Sequence, residues 1–192
     1  MENWHTCFVP ECFFDTVLFK KILQTNRMLK HTKGCFNVVN RFRNVKGKKG
    51  DLFDSPFGLG MVDKDSKQLD FLKDECDDKK KIELPMILVW KHKVRNHYII
   101  QLEPPLEKWL IKILDECNLK IEDFGYSRNY QKLKAEIKND IDNEKNIKLN
   151  KLVNTFVNLS HPVIRNLKTI LLYFKEKTIN ADIEELKKIL FN

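Results

Sequence analysis

Chain-breaking residues are scarce in this sequence. Among 192 residues there are only six glycines and six prolines, and 42% of the chain is hydrophobic with 13 phenylalanines. That composition excludes a long disordered or collagen-like segment and suits a chain that buries a core. No stretch approaches the roughly 18 consecutive apolar residues of a membrane span. The N-terminus also lacks the basic and then apolar run of a signal peptide, so a cytoplasmic protein that does not enter the membrane is expected. The five cysteines, Cys7, Cys12, Cys35, Cys76 and Cys117, are odd in number, widely spaced and form no CxxC pair. A disulfide framework and a cysteine-rich zinc cluster are thereby disfavoured. His5, His31 and His161 show no HExxH spacing, and the phosphate-cradling GxxxxGK[ST] and GxGxxG patterns are absent, so neither zinc catalysis nor ATP hydrolysis is expected.

Positive charge is plentiful. The formal net charge is +8, and 32% of residues are charged, mostly lysine, which points to an anionic partner, first of all nucleic acid, DNA or RNA. Two stretches concentrate the charge. Residues 41 to 50, "RFRNVKGKKG", hold Arg41, Arg43, Lys46, Lys48 and Lys49 with no acid among them. "VWKHKVRNHY", residues 89 to 98, interleaves Lys91, Lys93, Arg95 and His97 with Trp90 and Tyr98, a mixture that suits phosphates and stacked bases. A solvated turn between two strands accounts for the second stretch equally well. Lys91 or His97 is a candidate for neutralising a scissile phosphate.

Periodicity predicts an α/β protein. "HTCFVPE" reads as a first strand that Pro10 ends, and Phe14, Val17, Leu18 and Ile22 follow at helical spacing. "CFNVVNRF" is a short strand or a helix start after Gly34. "FGLGMVDKD" reads as a buried strand whose Gly58 and Gly60 admit a close neighbour. A helix carrying Leu69, Phe71 and Leu72 follows, then strands at "LPMILVW" and "HYIIQL" and a helix at "PPLEKWLIKILDECN". Four amphipathic helical segments complete the chain, with Ser160 as the expected N-cap of the third. Residues 127 to 192 carry 13 basic against 8 acidic residues. The division expected is an α/β core at residues 1 to 122 and a basic helical extension at 123 to 192. The extension is open to three roles: a dimerisation surface, a clamp on a strand, or a lid over the sheet.

The acids are placed unevenly. Glu11 and Asp15 fall where the first strand hands over to a helix, and Asp63 and Asp65 close a later strand. In a mostly parallel sheet, ligand sites lie off the carboxyl ends of the strands, so these four can converge. On an extended strand, positions i and i+2 face one side, which would let Asp63 and Asp65 share a hard cation. Packed carboxylates repel one another unless a cation or protons offset the charge, and magnesium or manganese suits such a set. Such an ion would polarise a phosphoryl oxygen and activate a water while lysines hold the backbone.

"FVPECFFDTVLFKKIL" followed further on by "GLGMVDKDS" resembles the Toprim domain of topoisomerases, primases and the nucleases of the overcoming-lysogenization-defect group. The likeness covers roughly residues 5 to 101. That family ends its first strand in a glutamate, follows with an aspartate near the helix start, and closes a later strand with DxD. By resemblance, these are Glu11, Asp15, and Asp63 with Asp65. The family's glycine after the glutamate is Cys12 here. The resemblance implies a Toprim-like sheet flanked by helices and a magnesium-dependent nuclease site. Glu11, Asp63 and Asp65 would be catalytic, and these three with Asp15 would hold the metal. It further implies a setting in DNA repair or defence against foreign DNA, with an ATPase as a regulatory partner protein.

Two rivals stand beside this reading. "DSK" after a strand makes Asp54, Asp65 and Lys67 a candidate restriction-endonuclease-like trio. A noncatalytic module that binds nucleic acid or protein on a drifted Toprim-like fold is the other, favoured by Cys12. Glu103 and Glu107 flank the helix start after "HYIIQL", and Glu103 is a candidate further ligand. For Asp15, capping of the helix is the stronger reading. Cys12 beside Glu11 lacks a histidine partner in the sequence and reads as a small buried cysteine.

Overall fold

The computed structural model describes residues 7–25, 29–64, 69–138 and 146–192. The chain begins with strand β1 (Phe8–Pro10) and helix α1 (Phe13–Leu23), continues through helix α2 (Cys35–Asn40) and the small ribbon β2 (Asn44–Val45) and β3 (Lys48–Lys49), and enters strand β4 (Gly58–Asp63). Helix α3 (Asp70–Glu75), strands β5 (Ile82–Leu84), β6 (Ile87–Lys91) and β7 (His97–Leu102), and helix α4 (Leu106–Glu116) follow. Helices α5 (Tyr130–Lys138), α6 (Ile147–Val157), α7 (Pro162–Lys177) and α8 (Ile183–Phe191) complete it.

The five main strands form one sheet in the order β1-β4-β7-β6-β5. β1, β4 and β7 run parallel, with Phe8 opposite Leu59 and Gly58 opposite His97, while β6 is antiparallel to β7 and β5 to β6. Four of the five strands therefore point the same way. The architecture is an α/β sheet, mixed but mostly parallel, flanked by helices. The outer side of β1 is covered, because Lys30 and Thr32 donate backbone hydrogen bonds to the Phe8 and Pro10 carbonyls (both 3.0 Å). That pairing removes an exposed edge.

Side-chain alternation along the strands sorts the core into two halves. Phe8, Leu59, Met61, Ile100 and Leu102 face α1, α4 and the later helices. Val9, Val62, Trp90 and Ile99 face α2 and α3. α1 is apolar almost all round, with Phe14, Leu18, Phe19 and Leu23 fully buried, because it is sandwiched between the sheet and helices α6 and α7. Each such side chain contributes about 1.5–3 kcal/mol. The helices after residue 122 share this core: Leu133, Leu149, Leu152, Phe156, Leu167 and Phe174 join the same apolar cluster as Phe8 and Phe14. Hydrophobic contact thus runs without interruption across the boundary expected at 122.

The segment after Gly34, open to a strand or a helix start, forms the helix α2, and one local reading resolves differently from expectation. The cap of α7 is His161, whose side chain accepts from the Val163 amide, in place of Ser160. Pro162 at the first helical position shifts the start by one residue, since its fixed φ suits that position.

The glycines of β4 work as the sequence suggests. A Cβ at Gly60 would meet Ile99 Cδ1 at 2.7 Å and Val38 Cγ1 at 2.9 Å, so α2 lies against bare backbone. Gly60→Ala is expected to destabilise the fold by about 1–3 kcal/mol through overpacking, read as a lower urea midpoint. Gly47→Ala is the comparison: it meets open space at positive φ, so its loss of about 1–2 kcal/mol comes from left-handed backbone strain and not from packing.

Candidate functional site

Parallel strands deliver their last residues to a common edge, and here that edge collects acids. Glu11 follows β1 and is 4% exposed; Asp63 ends β4 and is 3% exposed. Glu11 Oε2 accepts a hydrogen bond from the Asp63 backbone N–H at 2.9 Å. Asp63 Oδ1 in turn accepts from the Leu106 N–H at 3.3 Å, at the start of α4. Asp15, 1% exposed, stands in the first turn of α1, and Glu107, fully buried, stands in the first turn of α4. Four buried carboxylates therefore border two strand ends and two helix N-termini. Both helix ends carry partial positive charge and orphan amides that favour such neighbours.

Cys12 occupies the turn between Glu11 and α1 and serves as the helix cap. Its Sγ accepts from the Asp15 N–H at 3.5 Å, and Asp15 Oδ2 accepts from the Cys12 N–H at 3.2 Å. This reciprocal pair is a capping box built on sulfur. The thiol pKa is pushed well above its ordinary value, first by burial and then by the charges of Asp15 and Asp63. Cys12 is therefore a structural cap and a poor nucleophile. Asp15 completes that cap through Oδ2.

β4 ends at Asp63; Asp65 lies outside the described residues, as does Lys67. Among the described residues no group of three or more histidine, cysteine or acidic side chains is arranged to hold a metal ion. Glu11 and Asp63 meet through the Asp63 backbone amide. They are hard oxygen donors, and magnesium often uses one or two carboxylates with waters and substrate phosphate, so the pair suits that ion in donor type. Glu103 sits at the rim, ion-paired with Lys64 and 44% exposed. Asp54 pairs with Lys49 at 2.8 Å and precedes β4, so the length of that strand, roughly 16 Å, separates it from Asp63. The other two members of the candidate trio with Asp54, Asp65 and Lys67, lie outside the described residues.

A small pocket of about 150 Å³ opens beside Glu11, lined also by Cys12, Phe13, His31, Lys33 and Gly34. His31 stacks on Phe13, with ring centroids 4.2 Å apart, and burial followed by the Lys33 charge lowers its pKa. The sequence carried no spacing that would pair His31 with Glu11. The backbone bond from Gly34 N–H to the Glu11 carbonyl (3.3 Å) brings the two segments together.

The basic stretches go elsewhere. His97 begins β7 and pairs with Gly58 at the start of β4, so both basic segments sit at the edge opposite the acids. Most of their cations already serve the fold. Arg41 bonds Asp51 through two nitrogens, with Nε at 2.7 Å, and Arg43 Nε donates to Glu75 at 2.6 Å. Lys91 donates to the His92 (3.1 Å) and Arg95 carbonyls, and Lys93 to that of Asp74. Arg95 stacks 3.6 Å from the Phe53 ring centre, with Lys49 over the same ring at 5.3 Å. Phe53 thus joins the two basic stretches into one surface, from which Lys46 and Lys48 project exposed. His97 is 1% exposed, with Nε2 3.0 Å from the Ser55 carbonyl. It is a core residue, unable to touch a phosphate at the acidic edge.

Two outcomes follow from these environments. In the native protein iodoacetamide is expected to modify the partly exposed Cys117 first. Buried Cys7, Cys12 and Cys76 should react only on unfolding, with burial pushing Cys7 and Cys76 up to about 12; peptide mass mapping reads this. The second concerns His92 and His97, each lowered to about 4 from 6.5, chiefly by burial and then by nearby cationic groups. The folded chain keeps both rings neutral while the unfolded chain protonates them, so unfolding takes up protons between about pH 6.5 and 4. Stability should fall by about 1–3 kcal/mol as pH drops through that window, measured by urea titration, with a flatter profile in His97→Asn.

No family model, curated protein or solved structure matches this chain.

Proposed function

We propose that this protein is a metal-dependent nuclease, or a related phosphodiester-processing protein, acting on nucleic acid through the acidic edge of its sheet. The observation that carries the reading is the 2.9 Å bond from the Asp63 backbone amide to the buried Glu11 carboxylate, which joins the two acid-bearing strand ends at the edge where parallel sheets present ligands. Glu11 and Asp63, with Asp65, would hold magnesium or manganese, and the bound ion would polarise a phosphoryl oxygen and activate a water. The protein's own part is positioning. The Asp63 amide fixes the Glu11 carboxylate, and the Leu106 amide fixes that of Asp63. Lys33 stands at the mouth of the adjoining pocket and offers positive charge to an approaching phosphate.

A noncatalytic binding module is the second reading, favoured by one observation: Glu11 and Asp63 each accept a hydrogen bond from a backbone amide, which gives these acids a structural purpose without an ion.

Cleavage of supercoiled plasmid, labelled single-stranded DNA and labelled RNA, each with magnesium or manganese, separates the two. Glu11→Gln and Asp63→Asn keep an acceptor for each amide while removing the charge. Metal-dependent cleavage that falls about 100-fold or more in either variant, with the fold intact, is the expected result. No cleavage of any substrate, together with no calorimetric heat from magnesium or manganese, would leave the binding module as the function.

A further inference from the structure

Helix α1 runs against the parallel strands, so its N-terminus lies at the acidic edge and its C-terminus at the other end, roughly 16 Å away. There the C-terminal ends of α1 and α6 meet the side of α7 and enclose a cleft of about 420 Å³. Three lysines line it: Lys21 from α1, and Lys168 and Lys175 from α7. No carboxylate is among the lining residues, and among the described residues none of the three lysines forms an ion pair. Gln24 and Asn158 add side-chain amides, and Leu172, 46% exposed, supplies an apolar wall.

Three ammonium groups around one concavity repel one another unless something negative offsets them. Part of the offset is internal. Lys175 Nζ donates to the Leu23 carbonyl at 2.6 Å, at the negative end of α1, where a cation is favoured. That bond explains one lysine and holds its head at the rim. Lys168 lies in the middle of α7, away from either end of its own helix, so helix capping on α7 does not explain it. The volume falls within the range of small-molecule sites, which combine an apolar lining with a few placed polar groups.

We propose that this cleft binds a phosphoryl group carried on a ligand of nucleotide size. The lysines would take the phosphate oxygens, Leu172 would face the base or sugar, and Gln24 and Asn158 would meet their polar edges. The proposal does not rest on the acidic edge and stands whether or not that edge is catalytic.

Calorimetric titration of the full chain with inorganic phosphate, adenosine triphosphate and a 5′-phosphorylated oligothymidylate tests it. At least one probe is expected to bind, about tenfold or more weaker in Lys21→Glu and Lys168→Glu and near wild type in Lys168→Arg. Lys187→Glu, an equal charge change on the exposed face of α8, should leave binding unchanged. Binding of the triphosphate identifies a free nucleotide as the source, and binding of the oligonucleotide alone identifies a strand's phosphates. In wild type, the bound probe should also protect Lys21, Lys168 and Lys175 from amine acetylation, a readout that does not depend on whether the variants fold. No binding by any probe, no protection, or equal weakening in Lys187→Glu would overturn the proposal.

Discussion

The hydrogen bond from the Asp63 amide to the Glu11 carboxylate ties the exits of two parallel strands, and much of the acidic edge follows from it. A carboxylate buried at that point needs donors, and the structure finds them in backbone. Asp63 answers Glu11, Leu106 answers Asp63, and Cys12 answers Asp15. Each of these bonds joins two elements or starts a helix. The acids therefore set where α1 and α4 begin as well as what the edge could do chemically. Two helix N-termini pointing at the same corner make the concentration of negative charge tolerable.

Charge is divided along the length of the sheet. Acids gather at the carboxyl edge, while the basic ribbon, the β6–β7 turn and the lysine cleft gather at the amino edge. α1 shows the division within one helix, with Asp15 in its first turn and Lys20 and Lys21 in its last. The helix dipole favours this arrangement at both ends. A consequence is that cations chosen from the sequence to serve a phosphate at the acidic site are a strand's length from it, and Arg41, Arg43 and Lys49 are ion-paired within the fold. A nucleic acid engaging both regions would have to span the molecule.

Much of the fold was legible in the chain itself. The strand at "GLGMVD", the helical spacing from Phe14 to Ile22 and the four late helices are local patterns, and their periodicity expresses which face each element must bury. The closeness required at Gly60 was likewise written in the absence of a side chain. Less was legible at the site. Glu107 looked like one more acid at a helix start, and nothing local revealed that it would be fully buried. His97 was legible as the first residue of the strand "HYIIQL", but its place among cations and aromatics did not reveal that its side chain would be buried in the core. His31 and Glu11 share a pocket only because the chain after α1 returns along β1.

The sequence by itself determined the class of the fold, the placement of acids at strand ends and the excess of lysine, because these depend on residue type and short-range spacing. Tertiary structure decided which charges meet. Strand order put Glu11 against Asp63 and sent the basic turn to the far edge. Packing of α6 and α7 on α1 brought together lysines from helices far apart in the chain. Such pairings depend on burial and on distance in space, and neither is encoded in any one stretch of residues.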